Sequence, residues 1–393
     1  MESLTTSGEG AETERHVEAE RRVIPIELFF DLVFVFAFTQ VTALMAANPS
    51  WEGLGQGALV LAAVWWSWGA YAWLTNAVDP DETAARVTLF CSMTAMLVAA
   101  LAIPDAFGDD GVLFGLAYFA VRALHIFFFA YASADVSVVD AVRRLSLTGI
   151  PAPLLLIAAG FADGTTQILL WCVALVIDFG GPYVLGVAGY RVSPAHFAER
   201  FNLIMIIALG ESVVAIGVGA EGIDLDAGVV AAAIAGVVAA IALWWTYFDV
   251  VALVAQRKLE EARGLPRNEL ARDAYSYLHL PMVAGIILLA LGIKKTIEHV
   301  DQPLDTIPAV ALCGGVALYL LAHIAFRLRI VGTLNGPRLV AALLSAALIA
   351  LAVSADALIA MIAVAAVLVG LAAYEAVHFR ETRIRVRAAG ASR

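Results

Sequence analysis

Apolar runs of about 20 residues recur along the whole chain, each long enough to cross a hydrocarbon layer roughly 30 Å thick. Short polar or Gly- and Pro-bearing stretches separate them. Nothing else in the sequence limits the fold so tightly, because a segment in lipid must satisfy its own backbone hydrogen bonds. Barrel strands would alternate polar and apolar residues, and these runs do not, so the spans are helices. Composition agrees: of 393 residues 62% are hydrophobic and 15% charged, with mean hydropathy +0.86. The expected fold class is all-α, a polytopic membrane protein.

Hydropathy and turn signals place twelve spans near 24–45, 57–78, 85–104, 111–132, 146–162, 165–189, 197–219, 227–253, 272–295, 307–327, 335–353 and 356–378. The first 22 residues are polar and acidic and read as a disordered tail, and 381–393 read as a basic tail. Lys and Arg gather on one side of the spans, at Arg22, Arg86, Arg143, Arg144, Arg191 and Arg200, then from Arg257 to Arg272 and from Arg327 to the C-terminal arginines. The opposite side holds only Lys294 and Lys295 and is rich in Asp and Glu. The positive-inside rule then puts both termini in the cytoplasm, and an even number of spans satisfies this. The stretch QRKLEEARGLPRNELARD reads as a cytoplasmic helical hairpin or surface helix. Cys91, Cys172 and Cys313 lie in apolar runs without ligand spacing and read as buried small hydrophobes.

Sliding the chain on itself by 171 positions lays FDLVFVFAFTQVT (Phe30 to Thr42) on FNLIMIIALGESV (Phe201 to Val213). Further on, VWWSW matches LWWTY, ALHIF matches LAHIA, and Asp178 falls near Glu375. Order is kept, so two six-helix repeats are expected, 23–190 and 191–380. Six is even, so both should share one orientation about an axis along the membrane normal. Within the first match Asp31 meets Asn202 and Gln40 meets Glu211, so each repeat carries one acid and one amide at exchanged places. If the two helices pack about the axis, acid would face amide.

Ionisable groups inside spans are costly and need partners. Glu27 and Asp31, four apart, share a helix face, and Glu27 suits a first helical turn. Arg122 falls near the middle of its span, with Asp31, Asp178, Glu211 and Asp249 as candidate counter-ions. His125 and His323 occupy equivalent places and could tune a proton relay or serve packing alone. Asp178 precedes Gly180, Gly181 and Pro182, a combination that can break a helix beside a carboxylate. The candidate substrate- or ion-binding set is therefore Asp31, Gln40, Arg122, His125, Asp178, Asn202, Glu211 and His323, with Glu211 foremost. Phosphate-cradling loops, HExxH, a nucleophile elbow and a mid-span Lys are missing from the sequence, so no enzyme activity, cofactor, metal or nucleic acid is expected.

At IELFFDLVFVFAFTQVT and ERFNLIMIIALGESVVAIG, supported by the WW-bearing helices, the chain resembles the bacterial low temperature requirement A (LtrA) family from about Arg22 to Arg380. The resemblance implies a membrane location and an association with growth in the cold, and it carries no assigned binding residues. The residues themselves favour a secondary transporter in the cytoplasmic membrane, moving a small molecule with a proton or cation. The competing reading is a scaffold or cold sensor whose polar groups hold helices together.

Overall fold

The structure is a computed structural model, and it describes residues 22–78, 82–131, 136–381 and 383–385. Most of the two expected tails, 1–22 and 381–393, lies outside the described residues. Eleven helices are long and apolar enough to cross a membrane. In chain order they are α1 (Pro25–Ala47), α2 (Trp51–Ala77), α3 (Thr83–Asp105), α4 (Gly111–Tyr131), α5 (Val142–Ala159) and α6 (Gly164–Val184). Then come α7 (Pro194–Gly219), α8 (Ala227–Glu261), α9 (Gly264–Glu298), α10 (Thr306–Val331) and, after the shorter α11 (Gly336–Ala352), α12 (Ala357–His378). Twelve spans are expected from the sequence; the remaining helix, α11, has 17 residues, and at about 1.5 Å per residue it is at the lower limit for crossing a layer roughly 30 Å thick. Among the described residues the only extended pairing is one bridge between Pro303 and Asp356.

Local chemistry explains where helices begin and end. Pro25 and Pro194 open α1 and α7, where a missing N–H costs nothing. Ser50, Asp226 and Asn335 accept hydrogen bonds from the backbone N–H three residues on, capping α2, α8 and α11. Gly332, at φ 71°, stops α10 in a left-handed turn that only glycine takes without strain. The α8–α9 connection is a helical hairpin, as expected, with the break at Ala262 and Arg263.

Helix α6 departs from expectation. It runs unbroken through Gly180, Gly181 and Pro182 to Val184. The backbone there is held from α9 instead: Tyr277 donates to the Phe179 carbonyl, and Arg272 Nη1 donates to the Pro182 carbonyl at 3.1 Å.

Among the first six helices α1 packs on α2 and α3, α3 on α4, α4 on α5, α5 on α6, and α6 back on α2. Among the last six, α7 packs on α8 and α9, α9 on α10, α10 on α11, α11 on α12, and α12 back on α8. The two sets meet where α1 and α2 lie against α7 and α9. Residues 27, 31 and 39 of α1 touch 196, 200 and 211 of α7 in that order, so these two helices run parallel.

The surface is apolar where lipid would lie. Val176, Ile234 and Leu343 are more than half exposed, whereas Trp65 and Trp68 are fully buried. Two of the three cysteines correct the sequence reading in the same way: Cys91 and Cys172 are exposed, and only Cys313 is buried. In a membrane an apolar run has an outward face as apolar as its inward one, so hydrophobicity alone does not decide burial.

Close approach of α9 and α10 rests on small residues. A Cβ at Gly292 would lie 2.4 Å from Leu312 Cα, while one at Gly210 would meet nothing within 4 Å. We expect Gly292→Ala to cost about 1–3 kcal/mol by overpacking, and Gly210→Ala to be neutral or to stabilise by up to about 1 kcal/mol, measured as thermal unfolding in detergent.

Candidate functional site

The first polar centre lies between α1 and α7. Asp31 Oδ1 accepts from Arg200 Nη2 at 2.9 Å and from Trp68 Nε1 at 3.0 Å. The Arg200 guanidinium also sits 5.8 Å from the centre of the Trp68 ring. One turn earlier, Glu27 Oε2 lies 2.9 Å from His196 Nε2, and His196 Nδ1 lies 2.9 Å from the Asn76 amide. Asn76 in turn accepts from the Ser193 backbone N–H at 2.6 Å, fixing the entry to α7. All four charged or ionisable side chains are buried.

This corrects two expectations. The counter-ion of Asp31 is Arg200, not Arg122, and Asp31 does not face the Asn202 amide. Arg200 had been counted with the loop charges because ERF sits near the start of its span. A readable signal was present: Glu27 and Asp31 are four apart on α1, and His196 and Arg200 are four apart on α7, so two acids on one face meet two bases on the other.

The second centre joins α4 to α6. Arg122 Nη2 donates to Asp178 Oδ1 at 2.7 Å, and the Tyr118 hydroxyl donates to Asp178 Oδ2 at 3.3 Å. Arg122 and Asp178 were both in the candidate set, and they are each other's partners. His125 lies one turn on, with its ring 5.4 Å from that of Tyr71.

The third centre joins α10, α11 and α12. Arg338 Nε and Nη2 form a fork on Glu375, at 2.7 and 2.8 Å, and Nη1 lies 2.5 Å from His323 Nδ1 and 3.0 Å from its Nε2. Asn335 adds a bond to Glu375 at 2.9 Å, and Arg338 Nη2 reaches the Thr246 carbonyl at 3.0 Å. His323 thus accepts from a guanidinium. Arg338, a second residue sequence reasoning counted as a loop charge, organises this centre.

The fourth is Glu211, which accepts from the Thr39 hydroxyl at 2.7 Å. Thr39, not Gln40, is its neighbour on α1, so the expected meeting of acid and amide is absent here too; Gln40 is partly exposed. Asn202 instead lies 3.2 Å from the Tyr247 hydroxyl, which also lies 2.8 Å from His279 Nε2. The eight candidates are therefore distributed over several centres, and no hydrogen bond or ion pair among the described residues joins the Asp31, Asp178 and Glu211 centres.

Tryptophans tie α2 to α9. Trp65 donates to the Ser276 carbonyl at 2.7 Å and Trp73 to its hydroxyl at 2.9 Å. Ala271–Tyr277 is a widened π-helical turn, which frees a backbone carbonyl for such a bond. Beyond the spans, burial pushes the Tyr190 phenol up to about 12, so it presents a neutral ring to the cavity it lines. Among the described residues no three His, Cys, Asp or Glu side chains gather as metal ligands would.

A family model described as bacterial low temperature requirement A protein (LtrA) matches residues 22–373. An uncharacterized protein of Rhizobium meliloti (strain 1021) is 30% identical over 305 residues, which are 75% of this chain and 74% of that relative.

The forked geometry at Arg338 makes a specific prediction. Arg338→Lys keeps the charge but loses the fork, and we expect it to cost about 1–3 kcal/mol. The same change at Arg329, whose pair with Asp273 is partly exposed, should cost less than about 1 kcal/mol. Thermal unfolding of both variants in detergent checks the contrast.

Proposed function

The chain belongs to the bacterial low temperature requirement A family, and from that premise we propose that it is a cytoplasmic-membrane permease built of two parallel six-helix halves. It exchanges a proton or cation at Glu211 while moving a small molecule. In this reading both termini are cytoplasmic, which the concentration of Lys and Arg on one side supports.

The repeat is supported by contacts that occur twice. Trp68 bonds Asp31 from α2 to α1, and Tyr247, aligned with Trp68, bonds Asn202, aligned with Asp31, from α8 to α7. Asp178 on α6 holds an arginine, and its counterpart Glu375 on α12 does the same. The arginine changes helix between halves, from α4 in the first to α11 in the second. The order of helix packing described above is also the same in the two sets.

Glu211 carries the functional reading. Of the buried carboxylates, Glu27 faces His196, Asp31 faces Arg200, Asp178 faces Arg122 and Asp249 faces Arg383. Glu211 is buried at 2% exposure with a hydroxyl as its hydrogen-bond partner and no ion pair among the described residues, the Lys294 charge acting on it from beyond contact distance. A carboxylate in such a place is stable when it carries a proton or holds a cation, and both can leave. A paired carboxylate is not free to exchange in this way.

The other reading, a scaffold or cold sensor, draws on the same ion pairs, since Asp31–Arg200, Asp178–Arg122 and Glu375–Arg338 each join different helices and would serve as glue. The two are separated by charge movement. Proteoliposomes adsorbed on a sensor surface and given a pH or sodium jump should show a transient current with the wild-type protein. Glu211→Gln should abolish it, and Gln40→Ala should leave it. A wild-type signal no larger than that of protein-free liposomes, or an undiminished current in Glu211→Gln, would sink the permease reading.

A further inference from the structure

Two cavities open where the even-numbered helices end, one within the second set of six and one in the first set closed on one side by α9, and their linings differ in charge. The cavity of about 270 Å³ among α8, α10 and α12 carries Arg327, Arg338 and Arg383, offset by Asp249 and Glu375. The cavity of about 80 Å³ among α2, α4, α5, α6 and the start of α9 carries Arg122, Arg144 and Arg272, and among the described residues no Asp or Glu lines it. Asp178 and Asp273 pair with Arg122 and Arg272 from behind the wall, and Arg144 has no carboxylate partner among the described residues.

Donors are also left over there. Arg122 is 1% exposed and spends only Nη2 on Asp178; its Nε and Nη1 have no partner among the described residues. His125, 2% exposed, has Nδ1 free in the same sense. Arg144 gives Nη2 to the Ala188 carbonyl and leaves Nε unmatched. Arg272 is committed to Asp273 and to the Pro182 carbonyl, so it contributes field, not bonds. Buried guanidinium N–H groups without acceptors are uncommon in native proteins; Arg200 has the same two donors unmatched but lines neither cavity, whereas those of Arg122 and Arg144 belong to residues that line one, where a ligand can reach them.

The remaining wall is aromatic. Trp65 and Trp73 have their indole N–H groups occupied by Ser276, so they offer ring surface to the cavity, and Trp66 and Tyr190 extend it. Free charged N–H donors on two arginines beside an apolar wall suit the oxygens of a carboxylate or phosphate attached to an apolar body.

We propose that this cavity is a binding site for a small amphipathic anion, whose oxygens take the free N–H groups of Arg122 and Arg144 while its apolar part lies against the tryptophans. A soluble organic acid and the phosphate of an anionic lipid present the same chemistry. As a substrate assignment this rests on the permease reading; as a binding site it does not.

Isothermal titration calorimetry on the full chain in phosphatidylcholine nanodiscs tests it, with benzoate as the probe and benzamide as its neutral counterpart. Benzoate should bind saturably and benzamide should not. Arg144→Gln should weaken benzoate about tenfold or more, the loss of one charge-assisted hydrogen bond, whereas Arg327→Gln in the other cavity should leave it unchanged. Arg122→Lys, which keeps the Asp178 charge paired, should weaken it as well. Nanodiscs containing phosphatidylglycerol separate the sources: competition there that is lost in Arg144→Gln identifies a lipid phosphate as the occupant, and no competition identifies a soluble acid. Equal binding of benzoate and benzamide, or benzoate binding indifferent to both Arg144→Gln and Arg122→Lys, overturns the site whatever the currents governed by Glu211 show.

Discussion

The seam between α1 and α7 depends on two buried acids meeting two buried bases. Glu27 and Asp31 lie one turn apart on α1, and His196 and Arg200 lie one turn apart on α7, joined at 2.9 Å in each pair. Neither set could be buried without the other, because an unpaired charge in an apolar interior carries a cost of several kcal/mol. The match also fixes orientation: the pairs close in order only if the helices run parallel. Trp68 and Asn76 from α2 then brace the acid and the imidazole, so the seam draws α2 into place as well.

From this seam the roles of the buried polar groups separate. Where a carboxylate has a guanidinium or imidazole, as at Asp31, Asp178 and Glu375, it joins helices and is held. Elsewhere the chain keeps something in reserve: a carboxyl at Glu211 with a hydroxyl beside it, and spare guanidinium N–H groups on Arg122 and Arg144, which line a cavity. In the reading proposed here the first handles a proton or cation and the second an anion. They lie on different helices, α7 against α4 and α5, so coupling between them would have to pass through the packing of the two halves.

The architecture was largely legible in the sequence because span length and apolar content are properties of each segment by itself. The bundle of long apolar helices and the helical hairpin at Ala262 all follow from the run of residues. Pairing was less legible, since it depends on which face of a helix meets which. Arg122 was recognised as needing a counter-ion, but four carboxylates qualified by depth, and only packing of α4 on α6 selects Asp178. Arg200 and Arg338 were counted as loop charges because each sits within two turns of a span's start, where hydropathy cannot distinguish a snorkelling arginine from one turned inward. Gly180, Gly181 and Pro182 suggested a broken helix, yet hydrogen bonds from Tyr277 and Arg272, about ninety residues away in sequence, hold the segment helical. The exchange of acid and amide at 31, 40, 202 and 211 was real in sequence but does not bring those residues face to face: each lies against a different neighbour.

The claim that the seam organises the protein is tested most directly by a double-mutant cycle on Asp31 and Arg200, read as thermal unfolding free energies of Asp31→Asn, Arg200→Gln and the double variant in detergent. Each single change strands a buried charge and should cost about 3–5 kcal/mol, and the double variant should cost well below their sum, with a coupling of about 2–3 kcal/mol. Additive losses would mean that the two side chains do not depend on each other, and the account of the seam would fall.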